Sequence, residues 1–556
     1  MASPGTRANR RGFLETGPIS LRTPLALLAL SLVAIAAVWW WLATPVNLAR
    51  APIDPAAKLE CVSYAPFRGA QNPLEPGLMI APEQMAQDLA QLAKVTGCIR
   101  TYSVGNGLDR VPELAQKAGL KVMLGVWIGT NKLDNRIQME RGIELTKQFP
   151  GVVTAFIVGN EVLLRGEMTS SDLVANIRAV KAKVTVPVTY ADVWEFWLKN
   201  RDVYDSVDFV TIHILPYWED FPIRASYAAS HVDSIRKRMA VAFPNKEILI
   251  GETGWPSSGR MREGALPSRA NQARVVSEIL ELARVQKFRV NLIEAYDQPW
   301  KRNFEGTVGG HWGLFDADTR ALKYPAGVPI TNFPLAIIYA AAGMILAMLV
   351  FGVSFLTLRR RPWSPRLSSW LVVAISATTA GSLLGVTFEK MMVESLGVGG
   401  WISGIVLLVC AIAAPLIVSN TVMYGRSLPT FLELIGPGDY RTSSRMQRML
   451  GVVLLATTIL ATATALGFVF DPRYRDFQFA ALSMAVIPFL LLTAINRSPD
   501  GSRAIAESVF AGALAISAIY TIFNEGLANW QSLWTCGIYL LLALTLSRAR
   551  VVQIPK

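Results

Sequence analysis

Seven apolar runs follow residue 333 and constrain the fold more than any other feature of the chain. They lie at 334–358, 368–388, 398–424, 449–470, 477–495, 503–523 and 527–547. Their lengths suit helices that cross the hydrocarbon core of a bilayer. An eighth run at 25–43 follows four arginines and ends in Trp39, Trp40 and Trp41. We expect this run to be a retained signal anchor, since no small-x-small cleavage site follows the tryptophans; a cleaved signal peptide is the alternative.

The connections between these runs indicate an orientation. Segments on one side hold 17 Lys/Arg, and the short loops on the other side hold 3. Basic residues accumulate on the cytoplasmic side of a membrane. We therefore expect a multi-pass protein of the bacterial inner membrane. The predicted order is a cytoplasmic N-terminus (1–24), a transmembrane signal anchor (25–44), a periplasmic domain (50–333), a seven-helix transmembrane domain (334–547) and a cytoplasmic tail (548–556).

The net charge of +13 has the same explanation. Residues 50–333 hold 34 Lys/Arg and 31 Asp/Glu, whereas the remainder holds 20 and 10. The excess therefore belongs to the apolar part, and a nucleic-acid partner is not expected. Three scattered histidines and four cysteines without ligand spacing predict no metal site and no cofactor. Cys61 and Cys98 each open a predicted strand, so they are either a disulfide or two buried thiols.

Short apolar runs alternate with segments of helical period between residues 59 and 300. The runs are LECVSY, GCIRTYSV, KVMLGVWI, VVTAFIVGNE, VPVTYADV, VDFVTIHI, KEILIGE and RVNLIEAYD. Eight strands with intervening helices predict a (β/α)8 TIM barrel, an α/β domain followed here by an all-α transmembrane part. The alternative is a doubly wound sheet, but the first turn lacks the G-x-G-x-x-G pattern typical of that fold.

Two glutamates end strands of this predicted barrel. Glu161 follows the fourth strand and Glu252 ends the seventh. The carboxyl ends of barrel strands surround one mouth, so both side chains should share a cavity. Polar and aromatic residues accompany them there, and Tyr and Trp offer flat faces suited to sugar rings. This set is Tyr64, Arg100, Tyr102, Asp192, Trp194, Tyr217, Trp255, Tyr296, Asp297 and Trp300. Two carboxylates among aromatics, without metal ligands, indicate a glycosidase cleft.

The sequences around both glutamates resemble the signatures of glycoside hydrolase family 17. VGNEV (158–162) and GETGWPSSG (251–259) occur in the family's order and distance, together with IRTYSV, EAYDQPWK and HWGLFD. The resemblance covers about residues 59–325 and is closer to the fungal and bacterial branch than to the plant enzymes. It implies a retaining β-1,3-glucanase or glucanosyltransferase on a (β/α)8 barrel.

This resemblance implies roles for individual residues. Glu161 would be the acid/base and Glu252 the nucleophile, while Asn160 would hold the sugar 2-hydroxyl. Lys301, within EAYDQPWK, joins the set expected to bind substrate. One departure is Gln298, where that branch often has a glutamate, which affects the expected donor-side contacts.

Three functions fit these features. The first is a glucanosyltransferase that rearranges β-1,3-glucan and forms β-1,6 branches or cyclised glucan. It would resemble the membrane-bound proteins that modify rhizobial β-1,3/1,6-glucans. An endo-β-1,3-glucanase would use the same residues. The third is a non-catalytic glucan receptor, or an accessory subunit of a glucan synthase or exporter. We favour transfer, with glucan as donor and acceptor, the lipid bilayer as surroundings and a glucan synthase as candidate partner.

Overall fold

The computed structural model describes residues 21–48, 51–53, 58–359, 366–436, 444–496 and 501–551. They form two compact units: a barrel unit within residues 45–332, and a helical unit within residues 1–44 and 333–556. The first described helix, α1 (Arg22–Leu42), belongs to the helical unit.

Eight parallel strands close into a barrel in chain order. They are β1 Cys61–Ser63, β2 Cys98–Arg100, β3 Lys121–Val126, β4 Val153–Asn160, β5 Val188–Val193, β6 Val210–His213, β7 Ile248–Thr253 and β8 Val290–Leu292. Strand β1 pairs with β8 through Val62 and Leu292 and so completes the closure. The predicted TIM barrel is confirmed.

Helices alternate with the strands. They are α2 Pro82–Leu92, α3 Val111–Ala118, α4 Lys132–Gln148, α5 Ser170–Lys181, α6 Trp194–Lys199, α7 Ala225–Ala242, α8 Arg269–Gln286 and α9 Arg302–Gly309. Several begin where a polar side chain accepts from the backbone of the first turn, as Asn131 does from Leu133 N at 3.0 Å. Such a cap replaces a hydrogen bond that the helix itself cannot supply.

Strand β4 illustrates how the barrel separates its two apolar layers. Phe156 and Val158 belong to the large core that also includes the helices, whereas Ala155 and Ile157 pack in a smaller cluster with Leu249. This alternation follows from the period of two in a strand. At the carboxyl ends the inward positions become polar, and the site begins there.

A disulfide joins Cys61 of β1 to Cys98 of β2. The sequence left this pairing open, and the structure resolves it. The other two cysteines, Cys410 and Cys536, are buried thiols in the helical unit.

The helical unit contains α1 and the helices after residue 333. These are α10 Ala336–Arg359, α11 Leu367–Glu394, α12 Gly397–Met423, α13 Phe431–Ile435, α14 Arg445–Phe470, α15 Phe479–Ile495, α16 Ile505–Glu525 and α17 Trp530–Ser547. Each of the eight predicted spans contains a helix. Within the described residues, seven are long and apolar enough to cross a membrane, and α15, with 17 residues, is shorter.

Glycines bring three of these helices into close contact. A Cβ at Gly343 of α10 would lie 2.0 Å from Gly381 O of α11, and one at Gly381 would lie 2.4 Å from Ile35 Cδ1 of α1. A Cβ at Gly385 would lie 2.4 Å from Tyr339 Cβ. The small residues at 381 and 385 therefore allow close helix packing.

Candidate active site

Glu161 leaves the end of β4 through an unusual backbone conformation. Gly159 has φ +84° and Glu161 itself has φ +54°. A Cβ at position 159 would lie 2.7 Å from Val162 Cγ2, so only glycine fits there. The left-handed conformation of a glutamate is uncommon and is typical of functional sites. Two backbone bonds hold it, from Glu161 N to Ala191 O at 2.8 Å and from Arg165 N to Glu161 O at 2.9 Å.

Glu252 lies within β7, where the register places it beside His213 of β6. Gly251 precedes it, and a Cβ there would lie 2.4 Å from Thr211 Cγ2 and 3.3 Å from His213 Cδ2. The absence of a side chain at Gly251 therefore makes room for the histidine ring next to the carboxylate.

Arg100, at the end of β2, connects the strands that carry the two acids. Its Nη1 donates to Glu252 Oε1 at 3.1 Å and to Gly251 O at 2.7 Å. Its Nη2 donates to Asn160 Oδ1 at 2.5 Å. A buried guanidinium paired in this way supplies the positive charge that a buried carboxylate requires.

His213 lies between the two glutamates and has no exposed surface. Its Nδ1 is 2.7 Å from Glu161 Oε1, and its Nε2 is 3.3 Å from Arg100 Nη1 and 3.6 Å from Glu252 Oε1. The imidazole thus contacts both acids and the arginine.

One oxygen of each glutamate and one nitrogen of His213 lie within 4.8 Å of one another, close enough to hold a metal ion. Among the described residues, however, Arg100 Nη1 already lies within hydrogen-bond distance of Glu252 Oε1 and His213 Nε2. The guanidinium therefore places a fixed positive charge against two of the three groups that would bind a cation. We do not assign these residues as metal ligands.

The two carboxylates differ in exposure and in surroundings. The Glu161 side chain is 22% exposed and that of Glu252 is 6% exposed. Burial raises the pKa of the Glu161 carboxyl, but the hydrogen bond from His213 and the charges of Arg100 and Arg165 act against burial, and the pKa lies below its usual value. Glu161 is the more accessible acid, and Glu252 lies deeper.

Further polar groups surround Glu252. Tyr102 OH donates to Glu252 Oε1 at 2.8 Å and lies 2.7 Å from Ser63 Oγ, to which Asn291 Nδ2 also donates at 2.7 Å. Burial, followed by the charge of Glu252, raises the pKa of Tyr102 well above its usual range, so the phenol remains a donor.

Two other predicted residues, Asp192 and Lys301, adjoin this centre. Asp192 is buried, contacts Tyr190 OH and accepts from Leu164 N at 3.3 Å, so it supports the loop that follows Glu161. Lys301 Nζ donates to both oxygens of Glu294 at 2.9 Å. Burial raises the pKa of Glu294 to about 7, and the charges of Glu294, Glu305 and Glu252 raise that of Lys301 against the opposing effect of burial.

The remaining predicted residues make their polar contacts with other parts of the barrel unit. Tyr217 and Trp255 are fully buried, with Tyr217 OH donating to Arg260 O and Trp255 Nε1 to Leu266 O. They pack between loops, since their rings contact one another at 6.1 Å, and present no open face to a sugar. The others also have protein partners: Tyr64 with Asp88, Tyr296 with Gln91, Asp297 with Lys323, Trp194 with Glu219 and Trp300 with Gln298.

Gln298 is a structural residue here. Its amide nitrogen donates to Ala65 O at 3.0 Å and Tyr296 O at 3.2 Å, and its oxygen accepts from Trp300 Nε1 at 3.0 Å. A carboxylate at this position could not donate to those two carbonyls.

Sequence reasoning missed His213, Glu294 and Trp127. His213 ends an apolar strand just as the two glutamates do, so its position was a usable signal. Trp127 directly follows β3, is 40% exposed, and lies under Arg165, whose guanidinium carbon is 4.2 Å from the ring centre. Arg165 also contacts Asn160 O, which places Trp127 on the Glu161 side of the mouth.

Comparisons with known proteins identify relatives of the barrel unit. Residues 61–313 match the model of the BtgE/BtgC glycoside hydrolase domain. A glucan 1,3-beta-glucosidase from Candida albicans is 28% identical over 264 residues, which are 43% of this chain and 84% of that protein. A protein of the same name from Saccharomyces cerevisiae is 28% identical over 261 residues, 43% of this chain and 82% of that protein.

A solved structure, a glycoside hydrolase family 17 beta-1,3-glucanosyltransferase from Rhizomucor miehei, is 24% identical; the alignment covers 48% of this chain and 95% of that one, with a TM-score of 0.42. On the family model and the sequence relatives, the barrel unit is a glycoside hydrolase domain, similar to those of the BtgE/BtgC type.

Proposed function

We propose that the barrel unit is a retaining β-1,3-glucan glucanosyltransferase, with Glu252 as nucleophile and Glu161 as acid/base. The proximity of the two acids carries this proposal, since the oxygens of the pair that approach His213 lie within 4.8 Å of one another. Retaining glycosidases hold their carboxyl groups about 5 Å apart, whereas inverting ones leave about 6.5 Å or more for a water. The names of the relatives support β-1,3-glucan as substrate.

The surroundings of each acid support its role. Glu252 accepts from Arg100 and Tyr102, and these donors favour the anion that attacks the anomeric carbon. Glu161 is more exposed, as suits a group that first gives a proton to the leaving oxygen and later takes one from an acceptor hydroxyl. Asn160 Oδ1 is engaged by Arg100, so its amide nitrogen is the group that would donate to a sugar 2-hydroxyl.

Transfer rather than hydrolysis requires that a sugar acceptor be held beside Glu161. Trp127 offers an exposed indole there, backed by Arg165, and Leu164 adds exposed apolar surface. Stacking on an aromatic ring is worth about 1 kcal/mol, and a positioned acceptor competes with water through its high effective concentration. These features favour the transferase over the hydrolase.

Sizing the products of the purified full chain with reducing-end-labelled laminari-oligosaccharides tests this proposal. We expect early products longer than the donor. If every early product is shorter than the donor, and free reducing ends rise one for one with cleavage, the enzyme is a hydrolase.

We further propose that the barrel unit lies outside the cytoplasm and that the helical unit spans a bacterial inner membrane, with the domain boundaries expected from the sequence. The uneven distribution of basic residues and the Cys61–Cys98 disulfide support this location, because disulfides persist in oxidising compartments. Alkaline phosphatase fused after residue 326 should be active, and after residue 556 inactive. The opposite pattern would overturn the orientation.

A further inference from the structure

Two carboxylates suffice for the proposed reaction, yet a buried imidazole lies between them. His213 reaches Glu161 with one ring nitrogen and the Arg100–Glu252 pair with the other. The roles given to the acids so far leave this ring without a task.

The arginine decides which nitrogen carries the ring proton. Arg100 Nη1 also donates to Gly251 O and Glu252 Oε1, and a guanidinium has only donors. A proton on Nε2, 3.3 Å from Nη1, would therefore face another N–H, which favours Nε2 as the unprotonated nitrogen. A neutral imidazole then has its proton on Nδ1, and this N–H donates to Glu161 Oε1 at 2.7 Å. The register of β6 and β7 and the space above Gly251 keep the ring in this position.

The hydrogen bonds to the acids also distinguish their oxygens. Among the described residues, His213 donates to Oε1 of Glu161, and Arg100 and Tyr102 donate to Oε1 of Glu252. On each acid the other oxygen, Oε2, therefore remains for the sugar.

We propose that His213, held by Arg100 as the neutral Nδ1–H tautomer, is a positioning residue that engages Oε1 of Glu161 and reserves Oε2 for proton transfer. This inference rests on the proposed roles of the two glutamates. The same tautomer serves both half-reactions. In the first, Oε2 gives its proton to the leaving oxygen; in the second, Oε2 takes the proton of the acceptor hydroxyl, whose oxygen bonds the anomeric carbon as Glu252 departs.

A consequence concerns the pH dependence of the first half-reaction. The Nδ1–H bond stabilises the Glu161 carboxylate, so it favours the base over the acid and lowers the pH above which aglycone release declines. The charged or titratable groups that face the ring are Glu161 from β4, Arg100 from β2, Glu252 from β7 and, through its charge, Asp192 from β5.

The tautomer can be measured without any turnover. The chain has three histidines, so ¹⁵N-histidine labelling of the full chain in detergent gives a simple spectrum, which His231→Gln and His311→Gln assign by elimination. At neutral pH we expect the His213 ring to have a protonated Nδ1 and an unprotonated Nε2. A ring protonated on Nε2, alone or together with Nδ1, would refute the inference while leaving the roles of the glutamates untouched.

Two variants test the effect on Glu161. His213→Phe removes the donor, whereas His213→Asn keeps an N–H near the position of Nδ1. We expect the alkaline limb of aglycone release from an activated aryl glucoside to move up by about one pH unit or more in the Phe variant, and to stay near the wild-type position in the Asn variant. An unmoved limb in folded His213→Phe would mean that the ring only fills space. If that variant does not fold, the tautomer measurement decides alone.

Discussion

The polar groups at the barrel mouth and many hydroxyls of the helical unit are satisfied in different ways. At the barrel mouth Arg100 of β2, Asn160 of β4, His213 of β6 and Glu252 of β7 converge from different strands and bond to one another. In the helical unit, Ser354, Thr457, Ser483 and Thr545 each donate to a carbonyl four residues earlier in their own helix. Convergence creates a site that can do chemistry, whereas a hydroxyl satisfied within its own helix only avoids the cost of an unpaired polar group.

The largest loss of turnover should follow from replacing one of the polar residues that converge at the barrel mouth. We expect Glu252→Gln to lower turnover of laminari-oligosaccharides by a factor of about 10³ or more while the protein stays folded, because an amide is a poor nucleophile. Glu113→Gln, at an exposed salt bridge of α3, is the matched control and should retain activity. Near-normal turnover in the Glu252 variant would refute its role.

For Glu161→Ala, azide with a glycosyl fluoride donor should restore activity and give a β-azide, whereas an α-azide would reverse the two roles.

In the helical unit we expect a variant that loses stability but keeps its activity. Gly343→Ala on α10 places a methyl group against the backbone of α11, and overpacking of this kind costs about 1–3 kcal/mol. The midpoint of thermal unfolding in detergent should fall, while turnover at a temperature below that midpoint stays unchanged. Gly352→Ala on the same helix, where a Cβ would meet no atom within 4 Å, should show no loss of stability. Equal midpoints for the two variants would contradict the close contact.

A smaller effect should separate acceptor binding from the chemistry. We expect Trp127→Ala to lower the ratio of transfer to hydrolysis about fivefold, as the loss of about 1 kcal/mol of stacking implies. Product sizing at early times measures this ratio. Tyr227→Ala, an exposed aromatic on α7, is the control and should leave the ratio unchanged. An unaltered ratio in the Trp127 variant would remove this residue from the acceptor site.

The smallest expected effect is a pH-dependent change in thermal stability caused by Asp192. Burial raises the pKa of this carboxyl from its usual 3.8 to about 6. Its contribution to stability is therefore complete below pH 3.8 and is lost as the pH rises through about 6. Across this window the unfolding midpoint of the wild type should fall by about 2–4 °C more than that of Asp192→Asn. Parallel curves for the two proteins would mean that the carboxyl titrates normally.

Much of the architecture follows from local pattern. The strand and helix periods predicted the barrel, and the lengths of the apolar runs predicted the helices, because both signals lie within a few neighbouring residues. Glu161 and Glu252 could be placed at one mouth because a barrel brings all its strand ends together. His213 met the same criterion but was overlooked, since a lone histidine carries no motif.

The sequence could not predict which aromatic rings are buried and which are exposed. Whether Tyr217 or Trp255 faces a sugar depends on how loops separated by about 40 residues pack, as in the bond from Tyr217 OH to Arg260 O. Trp127, by contrast, has Arg165 over its ring and stays 40% exposed. Burial at a loop is a tertiary property, and residue type does not reveal it.

Gly251 has a consequence for how this site can evolve. Its φ is not in the left-handed region, so backbone strain does not exclude other residues there; crowding does, since Thr211 is itself fixed by a hydroxyl contact of 2.9 Å with Thr189. Any mutation at this codon that adds a side chain would need a compensating change at Thr211 or His213, both of which are buried. A single substitution at Gly251 is thus disfavoured, and a side chain there requires a prior change at a neighbouring residue.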